Sequence, residues 1–294
     1  MITGVFHFMA AFLRPNFAVA KVRLAREAVN RWARSHLTPV AVRLGVPSLL
    51  VALTILGTFA SPGVLAETDK ASPAVLVFSR TSGYRHDSIP DGIAAIRALG
   101  ADHGFMVDDT EDAGWFTDAT LARYKAVVFL NTTGNVLDQG GKAAFERYIR
   151  SGHGFVGIHS ASDTEYDWPW YGRLVGAYFA SHPAIQRATV RIEDPSQPST
   201  SGLPSKWERE DEWYNFRSNP RGSVHILATV DETTYSGGAM GTDHPIAWCQ
   251  TIDGGRSWYT AMGHTKESYA EPLFRVHLLG GIESAAGVTA FCGG

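Results

Sequence analysis

Three histidines, His86, His159 and His264, each lie just past an apolar run of strand length, beside small residues that leave room for a ligand. Imidazoles transfer protons near neutral pH and ligate metals, so three of them brought together would make a reactive centre. Nucleophilic attack by the neighbouring Ser160 is disfavoured. "GIHSAS" lacks the final glycine of a G-x-S-x-G elbow, and adjacent side chains at a strand end point different ways. Metal binding, with zinc the natural candidate, would have to gather His86, His159 and His264 from separate loops, since no H-E-x-x-H pair is present. Acid/base catalysis is the third chemistry, with His159 and His264 as proton-transfer groups and Asp163 or Glu267 as the carboxylate partner. We expect Asp163 to orient His159, and Arg85, His86, Asn131, Thr132, Ser160 and Glu267 to meet the ligand's oxygens. His103, His153, His225 and His277 read as structural, the usual state of an isolated histidine.

Two aromatic stretches hint at what that ligand is. "WEREDEWYNF" (207–216) sets Trp213 and Tyr214 among four carboxylates, Glu208, Glu210, Asp211 and Glu212, and "DWPWY" (167–171) adds more rings. Sugars are held by ring stacking on their apolar faces and by acceptors for their hydroxyls, so a carbohydrate or related polyol suits this composition. A nucleotide cofactor is not expected, because no strand runs into G-x-G-x-x-G or G-x-x-x-x-G-K-[ST].

These residues need a frame that brings loop ends together. "AVLVFSR" (74–80), "FMVDDTED" (105–112), "AVVFLNTTG" (126–134) and "GFVGIHSAS" (154–162) read as strands alternating with helical stretches at 93–104, 117–125 and 138–152. That alternation predicts a mostly parallel sheet covered on both faces, whose ligands bind past the carboxyl ends of its strands. After Trp168 the strands become short, aromatic and turn-separated, as in antiparallel or mixed pairing, before a closing helix from "AEPLFRVHLLGGIESAAG".

With 294 residues, 45% hydrophobic, the chain can bury a large core. Seven of its 26 basic residues and one of its 29 acidic residues precede position 67, which leaves 19 basic against 28 acidic thereafter. So acidic a body repels phosphate backbones and argues against nucleic-acid binding. The basic N-terminal stretch, the apolar run from Val46 to Phe59 and the small residues before Glu67 have the order of an export signal cleaved near Ala66. The apolar core is too short for a stable membrane span. We therefore expect residues 1–66 to be removed, residues 67–294 to form one exported domain, periplasmic or extracellular, and a homo-oligomer to remain open. Cys249 and Cys292 could form a late disulfide or remain buried thiols.

The motifs "YRHDSI", "GFVGIHSASDT", "DEWYNF", "TYSGGAMGTDHPIAW", "GRSWYTAMGHTKESY" and "HLLGGIESAAG", in this order from about Ala74 to Gly287, resemble the ThuA-like trehalose-utilisation family. The resemblance implies a flavodoxin-like fold similar to class I glutamine amidotransferases, a three-layer sandwich with extra mixed strands in its second half. It also implies a role in the use of disaccharides or their keto forms. An amidotransferase would carry a cysteine in the turn where this chain has His159-Ser160, so glutamine hydrolysis is excluded. In "DPSQPSTSGLP" this chain has Gln197 where the family commonly has histidine; if that histidine served a metal or substrate, the contribution is lost here. Two functions follow: a sugar-active enzyme of hydrolase, lyase or isomerase type, or a non-catalytic carbohydrate-binding protein on the same scaffold.

Overall fold

The computed structural model describes residues 72–292; the expected leader at 1–66 lies outside them. Runs with no polar side chain can be buried on both faces, and three of them become inner strands: β1 (Ala74–Phe78), β3 (Ala126–Leu130) and β4 (Gly154–Ile158). β2 (Met106–Thr110), which ends in Asp108, Asp109 and Thr110, takes the edge beside β1. The helices between them begin and end where local chemistry dictates. α1 (Ile89–His103) has a proline in its first turn and stops at Gly104 in the left-handed region, φ 81°. α2 (Asp118–Leu121) and α3 (Gln139–Arg150) are capped by Thr117 and Asp138, whose side chains accept from Thr120 N and Gly141 N.

Beyond β4 come α4 (Pro169–Val175), β5 (Phe179–Ser181), β6 (Gln186–Ile192), β7 (Lys206–Asp211), β8 (Asn215–Phe216), β9 (His225–Val230), β10 (Pro245–Ile252) and β11 (Gly255–Thr260). α5 (Lys266–Ala270) and α6 (Pro272–Ala285) close the fold. One nine-stranded sheet runs β2-β1-β3-β4-β11-β10-β9-β6-β7. Its first five strands are parallel, in the doubly wound order expected of a flavodoxin-like fold, with β11 in the fifth place. The remaining four are antiparallel, and β5 pairs with β8 in a separate ribbon. α1 and α6 pack together along the parallel half, α3 and α4 contact β11, and α4 also meets the turn past β4. The Gly280-Gly281 pair lets α6 approach closely: a side chain at Gly281 would strike Trp258, and one at Gly280 the Pro198 carbonyl.

The antiparallel half curls so that its edge strand meets the C-terminal helices. From β7, Trp207 Nε1 donates to Glu271 (2.6 Å) and Arg209 donates to Ser268 Oγ (2.8 Å). The expected closing helix forms as α6, and Pro272, which lacks an N–H, follows an extended Glu271 at φ −71°, ψ 122° that separates it from the short α5, a helix not expected from the sequence. Cys249 on β10 and Cys292 form a disulfide with Cα atoms 5.8 Å apart, an ordinary spacing. Among the described residues, no helix is long and apolar enough to cross a membrane.

Candidate functional site

His159 begins the turn directly after β4, and its backbone adopts φ 50°, a left-handed conformation that a non-glycine residue takes only when its surroundings enforce it. Here they do. Tyr259 Oη donates to the His159 carbonyl (2.8 Å), and the His159 Nδ1–H donates to Ala261 O (2.7 Å). With that nitrogen committed, the Nε2 lone pair faces inward, 3.1 Å from His264 Nδ1 and 3.5 Å from Glu212 Oε2. His264 Nδ1 lies 3.1 Å from the same carboxylate oxygen. His86 completes the group, with its ring 4.9 Å from the rings of both His159 and His264 and nearly perpendicular to each. One donor atom from each of His86, His159, Glu212 and His264 falls within 4.8 Å of the others, so these four could hold a metal.

The cluster faces a cavity of about 440 Å³ lined by Tyr84, His86, Asp163, Phe179, His182, Glu212, Tyr214 and His264. Tyr214 stacks on His159 at 4.1 Å and on Phe179 at 4.3 Å, making one apolar wall. Across from it Tyr84, 67% exposed, stands edge-on to His86. Its size falls in the range of small-molecule pockets, and it sits past the carboxyl ends of parallel strands.

Charge is unevenly distributed across these groups. Burial, with His159 and His264 alongside, holds His86 down at about 2, so it is a neutral imidazole at physiological pH. Burial alone would raise Glu212, but hydrogen bonds and charge from His159 and His264 outweigh it and hold the carboxylate at about 2. Burial likewise lowers His264, and Glu212 more than compensates, so the ring titrates above its ordinary value. Asp163 is raised by burial against the opposing pull of Tyr166.

Asp211 fixes the geometry from beneath. Its buried carboxylate accepts from Gly263 N (2.8 Å), His264 N (3.1 Å) and Glu212 N (3.0 Å), and pairs with Arg209 at 3.1 Å. One side chain thus sets both the His264 turn and the start of the segment carrying Glu212.

Several expected roles are corrected by this arrangement. Asp163 does not orient His159; it accepts from Tyr166 Oη (2.6 Å) on the pocket wall, and Glu212 is the carboxylate that meets the histidines. Arg85 forms a surface ion pair with Glu111, and Glu267 is exposed in the first turn of α5, so neither lines the pocket. Asn131 is fully buried at φ 50°, its Nδ2 donating to Ser88 Oγ (3.1 Å) and Gly263 O (3.4 Å), and it ties strand ends together instead of meeting a ligand. Thr132 is likewise buried against Thr164, and Trp213 is a core residue donating to Gln186 O. Ser160 is buried with its hydroxyl 3.4 Å from His86 Nδ1, a long contact beside the ring. Tyr214, His86 and His264 line the cavity, and His159 joins their cluster from a fully buried position. Gln197 pairs with Asp194 away from the pocket lining, so its replacement of histidine takes nothing from this cluster.

Two residues escaped the sequence reading. His182, in the loop after β5, places Nδ1 2.9 Å from Glu212 Oε1, and nothing in its spacing marks it. Glu212 was visible only as one of four carboxylates. β7 alternates exposed and buried positions, which turns Glu208 and Glu210 to solvent and Asp211 inward, and the chain then carries Glu212 to the cavity.

A family model described as ThuA, trehalose utilisation, matches residues 74–285. The chain is similar in structure to a ThuA-like protein from Bacteroides uniformis, at TM-score 0.63 and 24% identity over 74% of this chain and 94% of that one. A ThuA-like protein from Parabacteroides merdae gives 0.62 and 20% over 76% and 92%. No curated protein matches the sequence significantly.

Proposed function

The chain belongs to the ThuA family, and from that premise we propose that it is an exported enzyme acting on a disaccharide, a keto-sugar or a related polyol. The observation that carries the reading is the convergence of His86, His264 and Glu212 on the floor of an aromatic-walled cavity at the strand ends, with His159 fully buried in contact with them. The Tyr84 ring and the Phe179–Tyr214 wall suit the apolar faces of a sugar ring, while the floor and Asp163 supply partners for its hydroxyls. The family description, trehalose utilisation, supports the same substrate class.

In this reading Ala261 O and Tyr214 hold the His159 ring in place, so that its inward nitrogen takes a proton from a bound hydroxyl or α-carbon. Glu212 stabilises the resulting imidazolium, and His264, linked to the same carboxylate, returns the proton at a neighbouring atom. Export is supported by the order of basic, apolar and small residues before Glu67 and by the Cys249–Cys292 bridge, which suits an oxidising compartment.

The test is incubation of the purified protein with a panel of disaccharides, keto-sugars and polyols, with products followed by NMR. Conversion of one class, lost in His159→Ala with the fold retained, is the expected result. Binding of a sugar with no conversion of any panel member would reduce the protein to a carbohydrate-binding role.

A further inference from the structure

The geometry of the four-residue cluster points to a binding site for a divalent first-row transition ion. This deepens the reading above, on which the ion's catalytic meaning rests, but the site itself stands on donor spacing. A tetrahedral ion bound at zinc–nitrogen and zinc–oxygen lengths separates its ligand atoms by about 3.3 Å. His159 Nε2, His264 Nδ1 and Glu212 Oε2 lie 3.1, 3.1 and 3.5 Å from one another, bracketing that value. The rings agree with the atoms. Three imidazoles on such an ion would have centroids about 5 Å apart. Those of His86, His159 and His264 are separated by 4.9, 4.9 and 5.1 Å, with interplanar angles of 87°, 84° and 80°.

Outward-facing atoms of three of the four residues have polar neighbours, as they do around metal-binding histidines generally. Ala261 O takes the His159 Nδ1 proton, His182 takes Glu212 Oε1, and Ser160 Oγ lies by His86 Nδ1, leaving the other ring nitrogen of His86 for the cluster. Charge points the same way: the cavity lining contains Asp163 and Glu212 but neither lysine nor arginine. Three nitrogens and one carboxylate oxygen suit zinc, iron, cobalt or nickel better than the all-oxygen preference of magnesium or calcium. An ion there would take up the inward nitrogens of His159 and His264 in place of the proton transfers described above and, with a fifth position open to the cavity, would polarise a substrate oxygen instead.

The experiment strips the untagged full chain with chelator, adds zinc, and measures bound metal by mass spectrometry after dialysis. We expect about one zinc per chain, with affinity falling about tenfold or more in Glu212→Gln and His264→Ala. His225→Ala, which removes the surface His225–Asp194 pair, controls for adventitious binding and should leave uptake unchanged. If the cluster variants do not fold, cobalt(II) added to the wild-type chain should give the visible bands of a four- or five-coordinate nitrogen-oxygen site. Uptake below about one zinc per ten chains without cobalt bands, or undiminished zinc affinity in folded Glu212→Gln and His264→Ala, would overturn the inference. Undiminished sugar conversion by the stripped chain, with no zinc taken up, would likewise overturn it and leave the carbohydrate reading standing. One bound zinc with no sugar converted would do the reverse.

Discussion

His159 and His277 are both wholly buried, and each donates its Nδ1–H to a backbone carbonyl, Ala261 O at 2.7 Å and Ser199 O at 2.8 Å. The difference lies in the second nitrogen. That of His159 faces Glu212 and His264 beneath a cavity, whereas that of His277 has no hydrogen-bond partner and lies among Trp207, Trp258 and Phe274. The same anchoring device therefore serves a reactive centre in one region and a packed core in the other. A buried histidine acquires chemistry from what its free nitrogen meets, not from being buried.

The contrast can be sharpened by changing one carboxylate in each region. Glu212→Gln should lower turnover about a thousandfold, in the middle of the range that general acid–base catalysis contributes, with a cooperative unfolding transition retained. Glu271→Gln, at a carboxylate that accepts from the Trp207 ring beside His277 and pairs with Arg209 at 3.2 Å, should leave turnover within about threefold, because none of these contacts lies in the cavity. Steady-state kinetics on the converted sugar decide between them; equal losses would dissolve the distinction.

A stability effect of intermediate size should come from the core histidine. Burial pushes His277 down to about 4 from its ordinary 6.5, so folding favours the neutral ring. The stability this group supports is therefore complete above about pH 6.5 and declines as pH falls toward 4, by up to about 3 kcal/mol. His277→Phe removes that dependence. Denaturant midpoints of the two proteins should diverge less at pH 5 than at pH 7.5, once the other titrations common to both are subtracted. Parallel curves would show that His277 is charged in the folded state.

Smaller effects test the cavity wall. Tyr84→Ala should raise KM about tenfold with kcat little changed, the loss of one stacking ring. Trp213→Phe, which removes a core hydrogen bond to Gln186 O and part of a buried ring, should cost about 2 kcal/mol of stability and leave KM alone. A KM effect at Trp213 would return it to the ligand.

What the sequence disclosed follows the same division. β1, β3 and β4 are legible because strands buried on both faces carry no polar residue, and their ends place His86 and His159. His264 is found by the same rule at the end of β11. β7 is obscured because its alternation carries Glu208 and Glu210 on the outer face and Arg209 and Asp211 on the inner, a strand written largely in charge. Its route to the cavity depends on the curl of the whole antiparallel half, which no local pattern encodes; hence Glu212 and His182 were passed over as partners and Asp163 was preferred. Asn131 and Trp213 were polar or aromatic residues in the right neighbourhoods, and only burial shows that they face inward.

The central claim, that the strand-end histidines act on substrate while the core histidine does not, is tested most directly by comparing His159→Ala and His277→Phe on the same sugar. The account predicts a loss of about a thousandfold in kcat/KM for the first and less than about threefold for the second. Wild-type turnover in folded His159→Ala, or an equal loss in folded His277→Phe, would contradict it.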